Sequence, residues 1–339
     1  MKILLFRETE LKELNPYVLE HRGLAATESC VVGLAQELSR KHTIKVIAPQ
    51  FKQQFFGKVE YIPFQSYAEV LIHIAIFDPD ILIIVGNPQI LVEHSFKQRT
   101  IFWQQNHPNE MDFRFPIKEI LSKTLIVAPS PEAANYYNKH YKTNKIIGIY
   151  NGIRNVFFNK LYMPDTNKIV YIGAFTRAKG LSIFLQTAKK YPEYTFYCIG
   201  DFDLYGFTDE IYKEYCKRLA QECQNLIFCG NLNAEQLVKE LQTATMCIVN
   251  PLINNNETCC VSALEAIVLN VPVIGGESEI LSNIFKNAGQ RAVTTTCLIE
   301  TIKKHNYELL FYDKKFIENL KWSSIIQYWE RLCYEYNQR

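Results

Sequence analysis

The sequence predicts an α/β protein of two doubly wound parallel-sheet domains in tandem. A chain of 339 residues exceeds the size at which one hydrophobic core stops growing, so two domains are expected. Short, continuously apolar runs alternate with longer helical patterns from end to end, as in a parallel sheet covered on both faces. A polar stretch, Ile153–Asn167, with Asn155, Asn159, Pro164 and Asp165, separates two such series and reads as the linker.

The first series of strands is expected at Ile3–Phe6, Ile44–Ala48, Val59–Ile62, Ile81–Val85, Ile101–Trp103, Leu125–Ala128 and Ile146–Ile149. Between them lie stretches such as Glu28–Lys41, where Val31, Leu34, Ala35 and Leu38 follow helical spacing. The second series is expected at Ile169–Ile172, Thr195–Ile199, Leu226–Phe228, Cys247–Val249 and Val271–Ile274. This gives an N-terminal domain over 1–155, a C-terminal domain over 156–320 and a closing helix over 321–339. Neither a short-period repeat nor a low-complexity tract is visible. Two such domains form a cleft in which the carboxyl ends of both sheets can face one ligand.

Composition narrows the function classes. Lys and Arg number 37 against 35 Asp and Glu, so no charge surplus points to nucleic acid. The longest apolar runs, Val70–Phe77 and Ile81–Val85, are too short to cross a bilayer. The run after Lys2 stops at Arg7 and reads as a buried first strand, not a signal peptide. The ten cysteines include no C-x-x-C pair, and Cys198, Cys229 and Cys247 sit in apolar runs. Reduced, buried thiols in a cytoplasmic protein are expected, with no metal site. A dinucleotide oxidoreductase is disfavoured because no G-x-G-x-x-G follows the first strand. The segment Phe51–Lys58 mixes aromatics with lysines. That composition suits peripheral contact with an anionic membrane, and a loop packing its phenylalanines inward is the competing expectation.

The segment richest in chemistry runs from Asn250-Pro251 through an Asn-rich loop to Glu257-Thr258-Cys259-Cys260 and on to Glu265-Ala266. Glu257 stands where loop becomes helix, and Glu265 follows eight positions later. In a helix the two would lie roughly 12 Å apart along the axis, too far to share a proton or an ion. They could grip the two ends of an extended ligand. The backbone amides of Thr258, Cys259 and Cys260 would face what lies between, and a diphosphate suits such a helix start. Read structurally, Glu257 is an acid in a first turn and Glu265 a solvated face residue.

This segment resembles that of the family 4 retaining glycosyltransferases, whose hallmark is a Glu, seven residues and a second Glu followed by Ala. The resemblance implies the GT-B fold: two Rossmann-like domains and an interdomain cleft, the first on the acceptor side and the second binding the nucleotide sugar. It implies that Glu257 contacts the donor sugar and Glu265 the ribose. Asn151-Gly152 resembles the turn that opens the second domain. Gly173 through Lys179-Gly180 resembles the strand loop whose Arg and Lys bind the diphosphate; Lys179 matches, while Ala174 stands where the family has its Arg, and Arg177 is the substitute cation to consider. Cys198-Ile199-Gly200-Asp201, Ile227-Phe228-Cys229-Gly230 and Gly275-Gly276-Glu277 resemble later strand ends. Lys321-Trp322 and Trp329 resemble the helix that returns to the first domain, with the tryptophans expected in the core.

In the N-terminal domain Arg22-Gly23-Leu24-Ala25-Ala26-Thr27-Glu28 resembles the family's Gly-Gly loop with its following acid. Gly23 fits, and Ala26 replaces the second glycine. After Trp103 comes Gln104-Gln105-Asn106-His107-Pro108. Many relatives carry a His-Asp pair here. Strict register places Gln105 and Asn106 on it, and His107 stands two positions late.

The resemblance implies a retaining, metal-independent transferase with no cofactor. It would use a nucleotide-sugar donor and a glycan, lipid-linked or small-molecule acceptor. Glu257, His107 and Lys179 are the catalytic candidates; Gly23, Arg177, Lys179, Glu257, Thr258, Cys259, Cys260 and Glu265 are the donor-binding candidates. A degenerate sugar-nucleotide-binding subunit and a GT-B phosphorylase or epimerase are the alternatives, the former drawing on Ala174, Ala26 and Gln105.

Overall fold

The computed structural model describes residues 1–112, 115–165, 167–289, 291–304 and 312–338. Thr166 of the expected linker and Arg339 of the expected closing helix lie outside the described residues. The chain divides into two compact units. Unit 1 comprises Met1–Leu19, Thr27–Gly152 and Trp322–Arg339; unit 2 comprises Glu20–Ala26 and Ile153–Lys321.

Unit 1 holds β1 (Lys2–Arg7), β2 (Thr43–Ile47), β3 (Gln54–Phe56), β4 (Val59–Ile62), β5 (Ile81–Val85), β6 (Arg99–Trp103), β7 (Leu125–Ala128) and β8 (Ile147–Gly148). They form one sheet in the order β3-β4-β2-β1-β5-β6-β7-β8. All neighbours are parallel except β3, which runs antiparallel to β4. The continuous apolar runs make the central strands: every residue of β5 is buried, as are Ile3 to Phe6 of β1. The helix Ala26–Leu38 buries Val31, Leu34, Ala35 and Leu38, the positions its spacing predicts. The last helix, Trp322–Gln338, joins this unit, with Trp329 edge-on to Trp103 at 5.0 Å between centroids. Trp322 fills space left by two glycines; an ideal Cβ at Gly33 or Gly152 would lie 2.6 or 2.4 Å from its ring.

Unit 2 holds β9 (Lys168–Ile172), β10 (Thr195–Ile199), β11 (Leu226–Gly230), β12 (Met246–Val249), β13 (Val273–Gly276) and β14 (Ala292–Thr295), in the order β11-β10-β9-β12-β13-β14. All pairs are parallel. Its core is aromatic, with Tyr171, Phe184 and Phe196 fully buried. The expected linker is largely ordered into this unit: Ile153 bridges to Lys321, and Phe157 is buried in a short 3-10 turn.

Two strands escaped the sequence reading, β3 and β14. Both are edge strands, only half-covered, so they lack the continuous apolar signature of their neighbours. In the Phe51–Lys58 segment around β3 the expectation of inward-facing phenylalanines fails for two of three. Phe51 and Phe55 are 76% and 67% exposed, while Phe56 packs edge-on against Tyr61 at 5.5 Å. A strand alternates faces, and an edge strand has core beneath only one of them.

In each sheet the chain moves outward from its first strand in one direction and then returns to build the other side. The reversal falls between β1 and β5 in unit 1 and between β9 and β12 in unit 2. The loops leaving those strands must diverge there, which opens a crevice at their carboxyl ends.

Candidate functional site

The crevice of unit 2 gathers the chemistry. After β9 the chain passes Gly173 and Thr176, makes a 3-10 turn over Arg177–Lys179 and enters the helix Leu181–Lys190 through Gly180. Gly180 is left-handed (φ 68°), and a Cβ there would press on Pro251 and Leu252 at 3.1 Å. Glycine thus lets this loop approach the loop after β12. The buried Tyr171 hydroxyl donates to the Lys179 carbonyl at 2.9 Å and anchors the turn from beneath.

The loop after β12 is stitched by asparagines. Asn255 Nδ2 donates to the carbonyls of Leu252 (2.8 Å) and Gly276 (3.1 Å), and its Oδ1 accepts the Glu257 amide at 3.2 Å. Asn250, left-handed at φ 30°, donates from Nδ2 to Glu257 Oε1 at 2.8 Å. Lys179 Nζ donates to the same oxygen. Oε2 of Glu257 has no hydrogen-bond donor among the described residues. The Asn250 Oδ1 atom is buried without a partner.

Electrostatics keep this pair ionised. Burial alone would raise the Glu257 carboxyl, but Lys179 and the Asn250 amide outweigh it and hold it below its ordinary value. Burial would likewise lower the Lys179 ammonium, and Glu257 holds it above its ordinary value. Glu257 is 7% exposed and the Lys179 side chain 28%, so one edge of the pair is open to a ligand.

The helix that follows starts later than the sequence suggests. It spans Val261–Val268, with Cys260 left-handed at φ 51° just before it and no side-chain cap. Thr258 and Cys259 are buried in the preceding loop. Cys260 O accepts from Ala263 (2.9 Å) and Leu264 (3.2 Å), and among the described residues the amides of Val261 and Ser262 have no acceptor. These are the bare N–H groups of a helix start, three positions beyond where they were expected, because the left-handed residue breaks the helical path. Glu265 lies within the helix, 7% exposed rather than on a solvated face, and accepts from Arg154 Nη2 at 3.2 Å. Burial raises its carboxyl, and Arg154 partly offsets this.

The remaining residues are distributed. Arg177 turns from Lys179 to Asp209 (Nε to Oδ2, 2.9 Å) and lies over the Tyr212 ring. Gly23 belongs to the segment counted with unit 2; it is left-handed (φ 72°), and a Cβ would meet the Leu232 carbonyl at 2.5 Å. Asn231 Nδ2 donates to the Arg22 carbonyl beside it at 2.7 Å. His107 and Gln105 are in unit 1 and both buried. Gln105 exchanges hydrogen bonds with Asn151 (3.0 and 3.5 Å). His107 stands against Tyr136 at 4.9 Å between ring centroids, and its Nδ1 accepts from the Asn109 amide. Burial, with His140 nearby, lowers its pKa to about 4, so the ring is neutral at pH 7.

Sequence reasoning missed Asn250, Asn255 and Arg154. The polar composition of the loop was visible, but not which asparagine turns inward. Arg154, directly after the Asn-Gly turn, has no distinguishing signal until Glu265 is seen opposite it. Among the described residues no group of three or more His, Cys, Asp or Glu side chains gathers as a metal ion would need. No described helix is long and apolar enough to cross a membrane.

Comparison with solved structures defines the fold. Sucrose-phosphate synthase from Thermosynechococcus elongatus is similar with a TM-score of 0.78 and 14% identity, over 98% of each chain. A glycosyltransferase from Rickettsia africae is similar with a TM-score of 0.70 and 14% identity, over 99% of this chain and 98% of that one. Anabaena HepE, solved in complex with UDP and glucose, is similar with a TM-score of 0.71 and 12% identity, over 99% and 100%. The chain therefore has the fold of the GT-B glycosyltransferases. In sequence, residues 153–319 match the family model of the glycosyl transferases group 1, and these residues lie in unit 2. No curated protein matches the chain.

The histidine makes a pH dependence testable. Unfolded His107 takes a proton as pH falls through 6.5, whereas the folded ring stays neutral until about 4. Stability is thus lost on acidification across that window, by up to about 3 kcal/mol. Urea titrations at pH 7 and pH 4.5 should show a smaller loss for His107→Gln than for the parent; equal losses would refute the shift.

Proposed function

We propose that the protein is a retaining glycosyltransferase that moves a sugar from a nucleotide-sugar donor to a hydroxyl acceptor. The observation that carries the reading is the convergence, in the unit 2 crevice, of a carboxylate with one committed oxygen, a lysine and a bare helix start. The group 1 match over 153–319 and the GT-B fold support the glycosyl-transfer class.

In such a transfer the bond from the anomeric carbon to the diphosphate oxygen breaks, and its electrons leave with the phosphate. The acceptor oxygen bonds to the same face of the carbon, and its proton passes to the departing phosphate. Negative charge therefore grows at the phosphate while the sugar becomes cationic. Fixed positive charge at the phosphate lowers the barrier because it binds the transition state better than the ground state. In this reading Lys179 and the amides of Val261 and Ser262 supply that charge from the protein itself, with no cofactor and no metal ion. An ammonium has three donors, so Lys179 can meet a phosphate while retaining Glu257. Glu257 Oε2 would accept a hydroxyl of the donor sugar, a positioning role. Glu265 would meet the ribose, sharing its carboxylate with Arg154. Arg177 would have to leave its ion pair with Asp209, an exposed and solvent-screened contact. His107, neutral at pH 7, would contribute a hydrogen bond and no charge. Gly23 would keep its loop close to Leu232.

Peripheral contact with an anionic membrane is proposed at the β3 edge. There Phe51 and Phe55 are exposed, as are Lys52 and Lys58 in the same segment, so apolar insertion and cationic attraction would act together.

Three measurements test these readings. Glu257→Gln should lower turnover by about a hundredfold or more, as loss of a charged contact in the transition state implies, while calorimetry still detects nucleoside diphosphate binding. Turnover at the parent level would remove Glu257 from the role, and binding without turnover in the parent would favour the degenerate reading. Lys179→Ala should weaken nucleoside diphosphate binding by about tenfold or more; unchanged affinity would sink its assignment. Co-sedimentation with phosphatidylglycerol vesicles should fall for Phe51→Ser with Phe55→Ser, and a parent that stays in the supernatant would end the membrane proposal.

A further inference from the structure

Arg291 stands immediately before β14, at the amino end of the unit 2 sheet, and its carbonyl accepts the Val273 amide of β13 at 3.0 Å. The strands are parallel, so the Glu257 crevice lies at their other end, roughly 13 Å away for strands of this length. Arg291 is only 9% exposed, yet its guanidinium makes no ion pair among the described residues. Its Nε is enclosed without an acceptor. A buried charge is ordinarily paired, because taking it out of water is costly. This one has no counter-ion.

The groups around it are neutral. The guanidinium lies over the Tyr162 ring, 5.2 Å from the centroid, an attraction that leaves its charge in place. Burial pushes the Tyr162 phenol up to about 12 although Arg291 draws it back, so it is protonated at pH 7. Its hydroxyl donates to the Thr245 carbonyl at 3.3 Å. Tyr312, also kept protonated by burial, donates to the Val271 carbonyl at 2.7 Å. Acids on the segments packed nearby serve other groups: Glu240 pairs with Lys168 at 2.5 Å, and Asp165 accepts the Asn167 amide at 3.4 Å. Tyr162 belongs to residues 160–165, which carry neither helix nor strand, and Leu161 and Met163 on either side of it are exposed.

We infer that Arg291, beside Tyr162, binds a small oxyanion, a phosphate or a carboxylate, at the end of unit 2 opposite the Glu257 crevice. A guanidinium presents parallel N–H groups that match two oxygens of such an anion, and the unsatisfied Nε would be one of the donors. Enclosure of Nε restricts the ligand to a small free anion, since a nucleotide or a lipid headgroup on a membrane could not follow it in. Tyr162, on an irregular segment, is the side chain that would move to admit it. The site is independent of the function proposed above and does not rest on it.

The test follows the arginine Nε–H signals of the full chain by proton–nitrogen NMR, with the Arg291 signal assigned by its loss in Arg291→Lys. Inorganic phosphate and acetate are titrated separately at constant ionic strength against chloride. The Arg291 signal should shift saturably with at least one of them. It should do so equally in Lys179→Ala, which separates this site from an anion held in the crevice. Thermal unfolding should show a saturable gain with the same anion, with the apparent Kd raised about tenfold or more in Arg291→Gln, as loss of a charge-assisted contact implies. General salt effects act on parent and variant alike, so only the difference counts. If Arg291→Gln does not fold, the Arg291 signal of the parent still decides. A signal indifferent to both anions, or a shift lost in Lys179→Ala, or an equal gain in folded Arg291→Gln, would overturn the inference. Failure of the transfer reading would show instead as absence of nucleoside diphosphate binding by calorimetry.

Discussion

A parallel sheet that grows in two directions from its first strand imposes a constraint that the rest of this protein obeys. The two loops that leave the strands at the reversal must part, because one serves helices on one face and the other on the opposite face. Whatever side chains the sequence places just after those strands then border a gap. In unit 2 these are the Lys179 loop after β9 and the Glu257 loop after β12. In unit 1 they are Glu8 after β1 and Asn87 after β5.

Each gap is furnished in the same way. A carboxylate has one oxygen committed to two donors from the protein, and its other oxygen has none. Two donors on one oxygen fix the plane of the carboxylate, so the second oxygen is presented with little rotational freedom. Preorganisation of that kind raises affinity by reducing what is lost on binding. The gaps differ in charge. In unit 2 the lysine offsets the carboxylate, and the helix start at Val261 adds positive potential. In unit 1 the donors are neutral, leaving the carboxylate's charge in place. One gap therefore pairs its carboxylate with a cation, and the other with neutral donors alone.

The fold was legible because burial on both faces writes itself into the chain as uninterrupted apolar runs. The runs at Ile81–Val85 and Ile169–Ile172 fall in β5 and β9. The same reasoning failed at β3 and β14, where edge position removes that signature. At the candidate site the sequence marked Glu257 and Glu265 by their spacing, and Lys179 by its resemblance to a diphosphate-binding strand loop. It gave no means of seeing that Arg177, two positions from Lys179, turns to Asp209, since a 3-10 turn sends near neighbours to different sides. Nor could it separate Asn250 and Asn255 from the other asparagines of their loop.

What the sequence determined by itself is local and periodic: which runs form strands, which helices cover them, and where a loop changes into a helix to within a turn. These follow from alternation, capping chemistry and the conformational range of each residue. Only the tertiary structure decided which distant side chains share an oxygen. Lys179 and Glu257, or Glu8 and Asn87, are separated by 78 and 79 positions, and no local energy term links them. Their meeting is set by the order of strands in each sheet, which depends on how all the apolar faces pack at once.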